Sequence, residues 1–212
     1  MHLKGKGINK NYAKAKEYYE KSAKYDDSEA LFNLGYLFFN GYGVEEDIEK
    51  SIKFLSKSEK QNNTKSINLL GLIYLYGKGI HQNFGMSLKY FEKAAKLNSS
   101  DANVALGYMN SMSLGLKAYY KKAEKLFKKS IEKNNPFGYY LLAKFYKNDH
   151  DIIGNIDYVK QNYQEVVKCF EKAASLGYYD ALHLLGNLYF YGKGVPKDYK
   201  KAKEYYQKAA NH

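Results

Sequence analysis

The chain of 212 residues has no Trp, one Cys, two Pro and, among its 34 basic residues, no Arg at all. A single thiol, Cys169, excludes an internal disulfide framework and any multi-cysteine zinc site. Two prolines and 17 glycines exclude collagen-like and Pro-rich material. Without guanidinium forks the net charge of +12 is carried by Lys alone, which argues against bidentate, sequence-specific reading of nucleic acid. The longest uncharged apolar run, near Ile67 to Gly77, falls well short of the roughly 20 residues that cross a bilayer, and Met1 to Lys10 has no apolar signal core. What remains is 45% hydrophobic and rich in Lys, Ala, Leu and Glu, enough for a folded helical chain.

Self-comparison gives the organisation. Gly35, Gly71 and Gly107 are 36 residues apart, the next step reaches Ala143, and Gly186 follows after 43, so one unit carries an insertion of seven. A glycine pair follows six residues on: Gly41-Tyr42-Gly43, Gly77-Lys78-Gly79 and Gly192-Lys193-Gly194, with Gly5-Lys6-Gly7 one period earlier. Asn11, Asp47, Asn83, Asn162 and Asp198 form a third marker, each able to cap a helix. Tyr12, Ile48, Phe84, Tyr120, Tyr163 and Tyr199 then share a phase with Tyr19, Leu55, Phe91, Phe127, Phe170 and Tyr206 seven residues later, a helical recurrence. Small residues lie between them: Ala15, Ser51, Ser87, Ala123, Val166 and Ala202. Asn135-Pro136 reads as an N-cap and first helical residue.

Each unit therefore reads as helix A, a Gly-x-Gly turn, helix B and a polar turn. Such pairs bury their apolar stripes only by stacking, which predicts an all-α, right-handed α-solenoid of antiparallel pairs with about eleven helices. The expected units are a partial repeat over 1–27 and repeats near 28–63, 64–99, 100–134, 135–178 and 179–212, all in one repeat domain, read as a fragment of a longer protein. Ser113-Leu114-Gly115 and Asp149-His150-Asp151 depart from the turn, the latter followed by an extra segment, Ile152 to Tyr158.

These residues resemble the Sel-one-like repeats, relatives of the tetratricopeptide repeat. Ala181 to Ala210 follows the family pattern almost in full, and Ser66 to Ala95 nearly as well. Leu69 to Ala95 looks most similar to the branch of membrane-anchored adaptors serving ubiquitin ligases in endoplasmic-reticulum-associated degradation. That branch implies the endoplasmic reticulum; otherwise the cytoplasm is expected.

No metal-protease helix, phosphate loop or nucleophile elbow is present, so no enzyme, cofactor or metal is expected. The Gly-Lys-Gly turns end helices and lack the strand before them that a phosphate cradle needs. Asp149, His150 and Asp151 read as a solvated loop, and Cys169 as packing. Asn62 and Asn98 open sequons in inter-repeat turns.

The resemblance implies that helix A lines the concave face. Phasing from the Leu-Gly pairs sets Phe32, Tyr36, Phe39, Leu72, Leu75, Tyr76, Tyr108, Met112, Lys144, Lys147, His183, Asn187, Phe190 and Tyr191 away from helix B, a partner-binding groove for other proteins or peptides, or for self-association. The function expected is a non-enzymatic adaptor, with membrane contact only through segments outside this chain. The alternative is a Lys-rich surface binding RNA or anionic membrane, since 103–138 holds seven Lys against two acids.

Overall fold

The computed structural model describes residues 11–112, 120–148 and 156–212. Among these residues the only regular elements are eleven helices, as the repeat predicts. They are α1 Tyr12–Ala23, α2 Ser28–Asn40, α3 Ile48–Glu59, α4 Thr64–Tyr76, α5 Phe84–Lys96, α6 Ser100–Ser111, α7 Tyr120–Ile131, α8 Pro136–Asn148, α9 Ile156–Ser175, α10 Asp180–Tyr191 and α11 Tyr199–Ala210. They belong to two compact units, Met1–Ala102 and Asn103–His212. The turns at Gly5, Ser113 and Asp149 lie outside the described residues.

The helix starts follow from side-chain chemistry. Asn11, Asp47, Asn83 and Asp198 each accept, at 2.8 to 2.9 Å, the amide three residues on, from Lys14, Lys50, Met86 and Lys201. Asn135 accepts from Gly138 at 2.9 Å, with Pro136 opening α8. The expected cap at Asn162 is not one. Helix α9 begins at Ile156, so Asn162 lies inside it and the seven-residue insertion is partly spent lengthening a helix to 20 residues.

A second set of turn signals runs between helix B and the next helix A. Asp26, Asn62, Asn98 and Asn134 all take the left-handed conformation, φ 53° to 62°, and Gly177 holds the same place at φ 91°. Asn and Asp tolerate that conformation better than most residues, which accounts for both sequon asparagines without a glycan. Asp27 and Asn63 follow directly and cap α2 and α4.

Helix A meets helix B at its central glycine. A Cβ on Gly71 would stand 2.7 Å from the Phe91 ring, on Gly107 2.7 Å from Phe127, on Gly35 2.7 Å from Leu55 and on Gly186 2.5 Å from Tyr206. The small residues of helix B, from Ala15 to Ala202, are all buried, and Ser51 Oγ donates to the Gly35 carbonyl at 2.8 Å. Ring pairs recur beside this seam: Phe38 on Phe54, Tyr74 on Tyr90 and Tyr189 on Tyr205, 5.6 to 5.8 Å between centroids.

Candidate partner-binding surface

Helix A divides its groove candidates between seam and surface. On α4, Leu72 is 37% exposed and Tyr76 69%, one helical turn apart, whereas Leu75 is only 2% exposed. Leu75 stands four residues beyond Gly71, on the face that turns toward helix B, and the Gln82 side chain donates to its carbonyl at 2.6 Å. It is core, and the expectation of a groove role for it fails on burial. On α2, Phe32, Tyr36 and Phe39 are half-buried against the cluster of Ile48, Leu55, Leu69, Leu70 and Ile73. Lys65 lies 5.6 Å over Phe32 and Lys78 4.2 Å over Phe39, so side chains of the following repeat roof both rings.

In the second unit Met112 and Tyr191 occupy the place of Tyr76, Tyr191 directly before the Gly192 turn, and are 57% and 59% exposed. Tyr108 is half-buried, Lys144 exposed with its ammonium 5.4 Å over Tyr140, and Lys147 half-buried. His183 and Asn187 do not point clear of helix B as phasing expects. The Tyr206 hydroxyl donates to Asn187 Oδ1 at 2.7 Å and its ring stands 5.6 Å from His183. Tyr206, in the place held by Leu55, Phe91, Phe127 and Phe170 in the intervening repeats, reaches past Gly186 to Asn187. Phe190 likewise touches helix B, 5.3 Å from Tyr199.

Nothing in this set resembles a reaction centre. Among the described residues no His, Cys, Asp and Glu gather as metal ligands, and no helix is long and apolar enough to cross a membrane. Cys169 is buried on α9, and burial pushes its thiol up to about 12, leaving it protonated and unreactive at neutral pH. Tyr146 donates to Glu124 at 2.9 Å, and burial raises its hydroxyl pKa while Glu124 adds to the shift.

Comparison with known proteins agrees with the repeat geometry. The Sel1 repeat family matches residues 1–24, 28–63, 64–99, 100–135, 136–178 and 180–212. No curated protein matches the sequence. Among solved structures, a Sel1 repeat protein from Oxalobacter formigenes superposes with a TM-score of 0.83 at 23% identity, over 98% of this chain and 80% of that one. The protective antigen c5321 of uropathogenic Escherichia coli, which displays an SLR fold, gives 0.72 at 27% identity over 99% of this chain and 44% of its own. A Sel1 repeat protein from Klebsiella pneumoniae gives 0.63 at 15%, covering 92% of each chain. Proteins of this kind generally serve as interaction scaffolds and generally lack enzymatic activity. With six matched repeats along its length and the glycine seams on which they depend, the chain belongs to the Sel1 repeat family.

Proposed function

We propose that the protein is a non-enzymatic adaptor that binds a peptide or helix of another protein through the exposed apolar residues of helix A. The observation that carries this reading is the pair Leu72 and Tyr76, adjacent on one helix face and exposed although both are large and apolar. A side chain such as Tyr76 brings rigid, amphipathic contact area at little entropic cost, the kind that dominates interfaces. Met112 and Tyr191 hold the same repeat position in the second unit and are likewise exposed. The narrower assignment to endoplasmic-reticulum degradation rests on the resemblance of Leu69 to Ala95 alone and names no further residue.

The polyanion alternative draws on α7, where Lys121, Lys122, Lys125 and Lys129 are exposed. Among the described side chains of α7 the ring, Phe127, is buried, whereas base stacking needs exposed rings. A random-peptide library selected against the full chain, followed by competition with heparin, separates the two readings. Selection of apolar peptides that heparin does not displace supports the adaptor. Acidic peptides displaced by heparin, or no enrichment, would overturn it.

A further inference from the structure

Helix A carries charge differently in the two units. On α2 and α4 the only charged side chains are Glu29 and Lys65, and they neutralise each other at 2.5 Å across the joint. Both stand six residues before their seam glycine, so equal register in successive repeats brings side chains of neighbouring A helices together. On α8 the charged residues are Lys144, exposed, and Lys147, half-buried, and neither has an ion pair among the described residues. The only acid on α10 is Asp180 in its first turn, seven residues or roughly 10 Å along the axis before the register of Lys144. That register on α10 belongs to Asn187, since Lys144 and Asn187 directly follow the seam positions Ala143 and Gly186. In the first unit the same place holds Tyr36 and Leu72. The Tyr206 hydroxyl donates to Asn187 Oδ1 at 2.7 Å, which turns the amide oxygen toward α11 and leaves Nδ2 as a donor with no partner among the described residues. Leu55, Phe91, Phe127 and Phe170, in the place of Tyr206, have no hydroxyl with which to set an amide in this way.

We infer that the protein partner carries an Asp or Glu side chain that the second unit receives with the Lys144 ammonium and the Asn187 amide. The inference rests on the adaptor reading and adds the partner's chemistry to it: apolar anchors with one carboxylate, not a run of acids. An uncompensated cation and an unused N–H in one register call for an acceptor from outside the chain, and complementary charge is what selects it. A carboxylate has two oxygens, one for the ammonium and one for the amide. Tyr206 is then a positioning residue, since its hydroxyl decides which end of the Asn187 amide faces the partner.

The test uses the full chain and a library-selected peptide amidated at its C terminus, so that side chains supply its only carboxylates. Replacing the peptide's acid by the matching amide should weaken binding about fivefold at low ionic strength, and less in high salt. Lys144→Met in the full chain should cause the same loss, and the two changes together no further loss. Tyr206→Phe keeps a ring that other repeats use in this place. It should weaken the acid-bearing peptide about threefold and leave the amide peptide unaffected, a pattern that lost packing would not produce. Selected peptides without an acid, additive losses for Lys144→Met and the peptide change, or an equal effect of Tyr206→Phe on both peptides would overturn the inference. The adaptor reading would survive each of those results as long as Leu72→Ser with Tyr76→Ser weakened binding, so the two fail separately.

Discussion

In the first unit Lys65 meets Glu29 at 2.5 Å, Lys78 meets Glu46 at 2.8 Å, and Lys93 pairs with Glu59, each joining a repeat to its neighbour. The corresponding joints of the second unit are made differently. Tyr205 donates to Glu171 at 3.0 Å and Tyr146 donates to Glu124, while Tyr178, the last residue before the final pair, packs 4.7 Å from Tyr140 and 5.4 Å from Phe137 of its own repeat. The two units share a backbone plan and a glycine seam inside every pair that retains the glycine, but not the chemistry between pairs. The within-pair seam is dictated by close approach, which only glycine or alanine allows. The between-pair joint needs only complementary side chains, so charge or aromatic area serves equally well.

That contrast can be broken at its shared part. Gly71→Leu and Gly186→Leu should each destabilise by about 3 kcal/mol, because the added side chain meets Phe91 or Tyr206 with no room to move. Lys96→Leu, on an exposed position, should change the melting temperature little. Equal melting temperatures for Gly71→Leu and Lys96→Leu would remove the seam from the account. The joints come next. Tyr178→Ala should cost about 2 kcal/mol by denaturant titration, with the same value at low and high salt. Lys65→Ala should cost only about 0.5 kcal/mol, falling toward nothing at high ionic strength, since its pair with Glu29 is exposed, whereas Lys93→Ala, which breaks a half-buried pair with Glu59, should cost more and lose less of its effect in salt.

The smallest effect is one of pH. The Asp47 carboxyl is held below the usual carboxylate range, first by the amide hydrogen bond from Lys50 and then by the Lys50 ammonium. Its folded pKa therefore lies under its unfolded one. The stabilisation is complete above the unfolded pKa and disappears as pH falls through the folded pKa. The protection of amides in the first turn of α3, measured relative to their intrinsic exchange rate at each pH, should fall on acidification, while that of α5, capped by Asn83, should fall less. Asp47→Asn should abolish the difference, and an unchanged acid response in that variant would show that the cap is not its source.

The repeat was legible because its markers are local. A glycine at a close approach, a capping side chain and a heptad-spaced aromatic each leave a trace at one position, and the period multiplies it. The left-handed turn residues Asp26, Asn62, Asn98 and Asn134 carry the same 36-residue spacing and offered a fourth marker that the glycine pattern overshadowed. Asn162 misled because Asn is no worse inside a helix than many residues, so a cap signal without its turn proves little. The surface was harder to read. Which of Leu72, Leu75 and Tyr76 is exposed depends on where the chain returns after the Gly-x-Gly turn, and Asn187 was claimed by a hydroxyl that only Tyr206 supplies. Those are contacts between elements, invisible to the phase of one helix.

The central claim is that the fold resides in seams and joints while binding resides in the exposed residues of helix A. The direct measurement is the affinity of a library-selected peptide for the Leu72→Ser, Tyr76→Ser double variant, with its melting temperature taken alongside. The account predicts a loss of about 2 kcal/mol in binding, near thirtyfold in affinity, with the melting temperature close to that of the parent, and little change for Lys121→Glu with Lys125→Glu. Normal binding by the Ser variant together with failure of the Glu variant would contradict it and move the function to the lysine face of α7.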